Sequence, residues 1–184
     1  NAMLQPVRRI VTGHDENGRS IILSDGISPH TRPSPVYPNR GLTDLWRAFE
    51  SPADNSGDTD NANTEVVLTP PKNGSVFRFF QIPPDDTGEG KTPEELQAAA
   101  DATFASMGAA HNRDPNARHP NMHKTDSVDY IILLQGEVTL ILDEGEVNMK
   151  PLDVVVQRGT NHAWSNRSDE IAVLAGILID AEPV

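Results

Sequence analysis

The chain has 184 residues and a formal net charge of −12, from 15 Lys and Arg against 27 Asp and Glu. With no basic stripe and no cysteine, it is not expected to bind nucleic acid or anionic membrane surfaces, and disulfides, thiolate chemistry and iron–sulfur clusters are excluded. No apolar run approaches the ~20 residues of a membrane span and no signal segment opens the chain, so the expectation is a one-domain cytoplasmic protein.

Asn1 and Ala2 precede Met3 and read as a tag scar outside the fold. Residues 4–118 then form an irregular N-terminal extension holding most of the Pro. Residues 7–11 and 20–23 are β-branched runs around Asn17-Gly18, a hairpin signal because both residues tolerate positive φ. Pro29, Pro33, Pro35 and Pro38 make the next stretch extended. Residues 42–49 and 76–82 read as strands, the second ending at Pro83-Pro84. Between them, residues 51–64 have almost nothing to bury and are expected to be a mobile surface loop.

Thr92-Pro93-Glu94-Glu95 is a capping box with Pro at the first helical position. Leu96, Ala99, Ala100, Thr103, Phe104 and Met107 follow at helical spacing and Gly108 supplies a stop, so a helix is expected over 93–107. Its apolar stripe favours a helix laid on the domain surface, with a lid as the sharper alternative.

The core of the domain is read from 119–184. Runs at 130–134, 138–142, 147–150, 154–157, 162–165 and 171–179 are separated by turn residues such as Gly136, Gly145, Pro151 and Gly159. Many short strands with no intervening helices predict an antiparallel sandwich or barrel and rule out a Rossmann-type sheet. Phosphate loops, a G-x-S-x-G elbow and an H-E-x-x-H helix are all absent.

Six histidines are present, and three of them (His14, His30, His111) sit in loop-like segments. Strand parity organises the others with their neighbours. If His162 faces inward, so does Trp164; if Asp129 does, so do Ile131 and Leu133, while Tyr130 faces out. Such an interior is an apolar pocket with a few convergent polar groups, the usual form of a small-molecule site.

The stretch from His119 to Asn166 resembles the two-motif signature of the cupin superfamily. Gly159, His162 and Asn166 match the second motif; His123, Asp129 and Gly136 match the first, with Asp129 in the place of the usual Glu. The string from Asp153 through Trp164 resembles a subgroup of stand-alone bacterial and fungal cupins. The departures are Thr125 for a second histidine, Ala117 for the opening Gly, and Leu152 and Gln157 where Gly and Pro are usual. The resemblance implies an all-β, jelly-roll-like antiparallel barrel with an N-terminal strand extension and one inserted helix. It also implies a homodimer that hides strand edges.

It implies, too, one divalent transition metal (Fe, Mn, Zn or Ni) held by His123, Asp129 and His162. Thr125 and His119 are additional ligands or neighbours of that site, and Ile131, Leu133 and Trp164 are its apolar wall. Two readings follow. One is an enzyme whose metal acts on a small, partly apolar or aromatic oxygenated molecule by oxygenation, decarboxylation or dehydration/isomerisation. The other is a non-catalytic barrel that has lost its metal and binds a small molecule or only itself, with Asp129 and His123 as a satisfied polar cluster.

Overall fold

The computed structural model describes residues 3–114 and 116–184; the expected scar residues Asn1 and Ala2 lie outside the described residues. The strands are β1 (Arg8–His14), β2 (Ser20–Ile27), β3 (Thr31–Pro33), β4 (Gly41–Ala48), β5 (Ser75–Ile82), β6 (Ser127–Gln135), β7 (Val138–Leu142), β8 (Glu146–Met149), β9 (Val154–Arg158), β10 (His162–Ser165) and β11 (Ala172–Asp180). The one α-helix, α1 (Pro93–Ser106), falls between β5 and β6 and is followed by a short 3₁₀ turn at Ala110–Asn112.

β6 shows how local sequence sets the architecture. Ser127, Asp129, Ile131 and Leu133 are buried while Tyr130, Ile132 and Leu134 are exposed, the period-2 alternation of a pleated strand. β6 belongs to a six-stranded sheet ordered β3-β4-β5-β11-β6-β9, faced by a three-stranded sheet ordered β10-β7-β8. Both sheets feed one apolar core: Ile82, Ile131, Leu133, Ala172 and Leu174 from the first, and Val138, Leu140, Met149 and Trp164 from the second. That shared core is what joins them into a β-barrel. The sheet takes β3, β4 and β5 from before residue 119 and lays β11 between β5 and β6.

Turns are built as the sequence implies. In the β1–β2 hairpin Asp15 Oδ1 accepts from the backbone N–H of Asn17 and Arg19, and Gly18 takes φ 74°. Between β6 and β7, Gly136 has φ 80°, and a Cβ there would meet the Ile171 carbonyl at 2.6 Å, so only glycine fits. Leu152, standing where the resemblance led us to look for Gly, keeps the left-handed conformation at φ 75°.

Helix α1 begins with the expected capping box: Thr92 Oγ1 accepts from Glu95 N and Glu95 Oε2 accepts from Thr92 N. Phe104 and Met107 are buried with Leu42, Val66, Leu68 and Ala109 in a second cluster. Burying a side chain the size of Phe104 contributes about 2–3 kcal/mol, enough to fix the helix against the β4–β5 side of the sheet. The 51–64 segment is more firmly held than its composition implied. Asp60 near its end accepts from both terminal nitrogens of Arg9 and from His30 Nε2, and Ala62 is fully buried.

A buried ion cluster lies beside α1. Arg78 donates to both carboxylate oxygens of Asp44 and to the Val67 and Leu68 carbonyls, and Arg47 donates to Asp44 and Val67. Among the described residues no helix is long and apolar enough to cross a membrane.

Candidate functional site

His123 and His162 are 39 positions apart, yet they face each other in an isolated antiparallel bridge, each backbone N–H donating to the other's carbonyl at 2.9 Å. Residues directly opposed in such a bridge project to the same face. The imidazoles therefore touch, with ring centroids 4.3 Å apart and planes inclined at 52°. Phe104 of α1 packs on the His123 ring at 4.8 Å, and Trp164 lies edge-on to His162 at 5.9 Å.

The backbone also sets the tautomers. His123 Nδ1 lies 2.8 Å from the Asn121 carbonyl and His162 Nδ1 lies 2.9 Å from the Thr160 carbonyl. A carbonyl only accepts, so Nδ1 carries the proton in both rings and each Nε2 keeps its lone pair. Burial pushes the His162 pKa down to about 4, and burial together with the His162 ring pushes His123 well below its usual value. Both rings are neutral at pH 7, and among the described residues neither Nε2 has a hydrogen-bond partner.

Asp129 lines the same cavity. Its Oδ1 accepts from Ser127 Oγ at 2.7 Å, and Thr125 Oγ1 lies 2.8 Å from Ser127 Oγ. The Ser127 proton points at the carboxylate, so Thr125 is the donor in the second contact. Burial raises the Asp129 pKa to about 6, against smaller opposing effects of the Ser127 hydrogen bond and the Arg78 charge. Oδ2 has no partner among the described residues.

The cavity these groups share is about 90 Å³, walled by Leu42, Phe80, Ile131, Trp164, Phe104 and Met107. Helix α1 is thus a wall of the site as well as a surface cover, because Thr103, Phe104 and Ser106 all face the opening. Its hydroxyls are spoken for: Thr103 Oγ1 donates to the Ala99 carbonyl, which leaves Ser34 Oγ as the donor in its 2.7 Å contact with Thr103.

The other expected site residues fall elsewhere. Leu133 is wholly buried in the core cluster and does not line the cavity, because the next inward position along β6 lies deeper between the sheets. Thr125 is turned to Ser127 and reaches the site only through that hydroxyl. His119 faces a neighbouring hollow with Tyr37, Arg40 and Asp85, where its Nδ1 accepts from Asn121 N at 3.1 Å and burial lowers its pKa. Among the described residues no three His, Asp or Glu side chains form a ready-made metal-holding group. Most of the cavity's other residues escaped the sequence reading, Arg32 and Arg40 among them. The available signal was a pair of arginines in the Pro-rich stretch of a strongly acidic chain.

No family model matches the chain. Phomopsin biosynthesis cluster proteins C' and D of Diaporthe leptostromiformis are each 30% identical over 98% of this chain and 82% of their own length. The cupin-domain-containing oxidoreductase fogC of Aspergillus ruber is 30% identical over 90% of this chain and 66% of its own, and virC of Hypocrea virens, named likewise, is 28% identical over 96% and 77%. Among solved structures, the cupin domain of Schizosaccharomyces pombe Cnp3 aligns with a TM-score of 0.45 at 11% identity, covering 94% of this chain and 87% of that one.

Proposed function

This chain belongs to the cupin superfamily, and from that premise we propose that it is a metal-dependent enzyme acting on a small, partly apolar or aromatic oxygenated molecule. The observation that carries the reading is the imidazole pair. Two neutral rings have their Nδ1–H anchored on carbonyls and their Nε2 lone pairs unengaged beside one cavity. Anchoring the far nitrogen is how proteins orient a histidine for a metal, and imidazole suits Fe, Mn, Zn and Ni alike. Asp129, with one carboxylate oxygen free, is the third ligand in this reading. The names of fogC and virC, both oxidoreductases, support an enzyme over an inert barrel.

When bound, the ion supplies Lewis-acid or redox chemistry. The chain's own residues do the rest. Leu42, Phe80 and Trp164 exclude water and hold the apolar part of the substrate. Asp129, whose carboxyl is pushed up to about 6 by burial in the metal-free protein, would be held in its charged form by the ion and offers Oδ2 to it. The site is compatible with oxygenation, decarboxylation and dehydration or isomerisation.

The test is metal analysis of protein made with Fe, Mn, Zn and Ni supplementation and purified without chelator. Stoichiometric metal in the wild type, lost in a folded His162→Ala variant, is the expected result. Metal-free wild type from every supplement would overturn the reading and leave a non-catalytic small-molecule binder, the alternative favoured by the lack of a preassembled three-residue group among the described residues.

The partner we propose for the outer face is a second copy. Phe77, Ile177, Tyr130 and Val156 sit opposite one another across β5, β11, β6 and β9, and Ile132 pairs with Val154 in a second row. All six side chains are exposed. A contiguous apolar face of this kind is rare on a monomer. Light scattering should find a dimer in the wild type and a monomer in Ile132→Glu; a monomeric wild type removes the idea.

A further inference from the structure

The cavity holds two positive charges that nothing in the fold explains. Arg32 follows the first residue of β3, and Arg40 immediately precedes β4; both line the cavity shared by His123, His162 and Asp129. Arg32 Nε is a buried donor without an acceptor. Arg40 makes only backbone hydrogen bonds among the described residues. The acid nearest to it in electrostatic influence is Asp85, whose carboxylate is already engaged by Ser165 Oγ and by the Asn166 N–H. Neither arginine forms an ion pair among the described residues, although Arg8, Arg9, Arg47, Arg78, Arg113, Arg118 and Arg167 all do.

In a chain with a net charge of −12, acids are abundant and pairing is the ordinary outcome for a guanidinium. Arg32 and Arg40 are half-buried, and a donor such as Arg32 Nε that is cut off from water without an acceptor is costly unless something else supplies one. The remaining polar groups of the cavity do not do so. Gln81 spends its amide on the Met3 and Asn39 carbonyls and on the Gln5 N–H, and Ser34 and Thr103 bond each other. Asp129 is the cavity's only acid, and the arginine that acts on its charge is Arg78, itself held by Asp44.

We propose that Arg32 and Arg40 form the carboxylate-binding end of this cavity, so that its ligand is a small acid with an apolar body. The planar guanidinium matches a carboxylate through paired N–H···O bonds. The apolar body then lies against Phe80 and Trp164, which line the same cavity as the imidazole pair. This names the ligand class of the site under Proposed function and rests on that cavity being the ligand site. It does not need the metal. The size of the cavity, about 90 Å³, limits the enclosed part of the ligand to a handful of heavy atoms.

The probes are isobutyrate and its neutral isostere isobutyramide, titrated by methyl-observed saturation-transfer NMR against full-length protein stripped of metal with EDTA. Wild type should bind the acid at least ~10-fold more tightly than the amide, by the worth of a charge-assisted hydrogen bond pair. Arg40→Gln and Arg32→Gln should each bring the two affinities together while amide binding persists, which shows that the cavity is still folded. Arg40→Lys should recover part of the preference. His162→Ala should keep it, so failure of the metal reading and failure of this one give different results. Equal binding of acid and amide by the wild type would overturn the proposal, as would a preference that survives both glutamine variants or vanishes only with His162→Ala.

Discussion

Two groups of buried ionisable residues lie within this barrel, and they are satisfied in opposite ways. Around Asp44 every carboxylate oxygen accepts from a guanidinium, and Arg78 spends its three nitrogens on Asp44 and two carbonyls. The Asp44 carboxylate is fully answered, and the one donor left over, Arg47 Nε, does not line the cavity. Around His123 and His162 the backbone ties down only the far side of each ring, Asp129 has one engaged oxygen, and Arg32 Nε is without an acceptor among the described residues. His123, His162 and Asp129 are buried like Asp44 and Arg78, while Arg32 is half-buried, so burial alone does not distinguish structure from function here. Unspent hydrogen-bonding capacity turned toward a cavity does.

That contrast can be broken most forcefully at Asp44. Asp44→Asn keeps the shape but leaves two guanidiniums buried without a counter-charge, and it should cost about 3–5 kcal/mol of stability. For a chain of this length that corresponds to a fall of roughly 10 °C in Tm, read by calorimetry. A loss below about 1 kcal/mol would mean that the cluster is not the structural unit described.

Asp129→Asn should act in the other direction. The folded pKa of Asp129, about 6, lies above the unfolded value of 3.8. Its protonated form is therefore the one the fold prefers, and the cost of burying the charge appears as pH rises from about 4 through 6. In metal-free protein the variant should be more stable than wild type at pH 8, by up to about 3 kcal/mol at ~1.4 kcal/mol per pKa unit. The gain should disappear below pH 4. Urea titrations at the two pH values decide it: an equal effect at both would show that charge burial is not the cause.

Much of the fold was legible in the sequence because it depends on local alternation and turn chemistry. The β10 bounds were read without error, β6 was recognised from its inward and outward residues, and the Thr92–Glu95 box marked the start of α1. The family resemblance rested on His123, Asp129, Gly136, Gly159, His162 and Asn166, and relatives 30% identical over nearly the whole chain support it. Leu152 is instructive, since it stands where the resemblance has Gly and itself takes the left-handed backbone that favours glycine, at φ 75°. The departure at Thr125 has a different meaning, since its hydroxyl supports Ser127 and through it Asp129.

Less was legible about the site because its parts come from segments far apart in the chain. Parity placed Asp129 and Ile131 on the inner face, yet it also offered Leu133, which lies deeper in the core. Composition made 51–64 a free loop, but Asp60 is fastened by Arg9 and His30 from elements that no local pattern connects to it. Likewise α1 read as a cover, and only its packing against the β4–β5 side put Phe104 on the His123 ring.

By itself the sequence determined an all-β barrel of short strands, a capped helix and the identity of the ionisable groups, since strand period, turn residues and capping act over a few neighbouring positions. Only the tertiary structure decided which of those groups are spent and which are free. The bridge between His123 and His162, the ion pairs around Asp44 and the lack of an ion pair at Arg32 and Arg40 among the described residues all depend on contacts across the sheets. Hydrogen-bond satisfaction is a property of what folding brings near, and no local pattern records it.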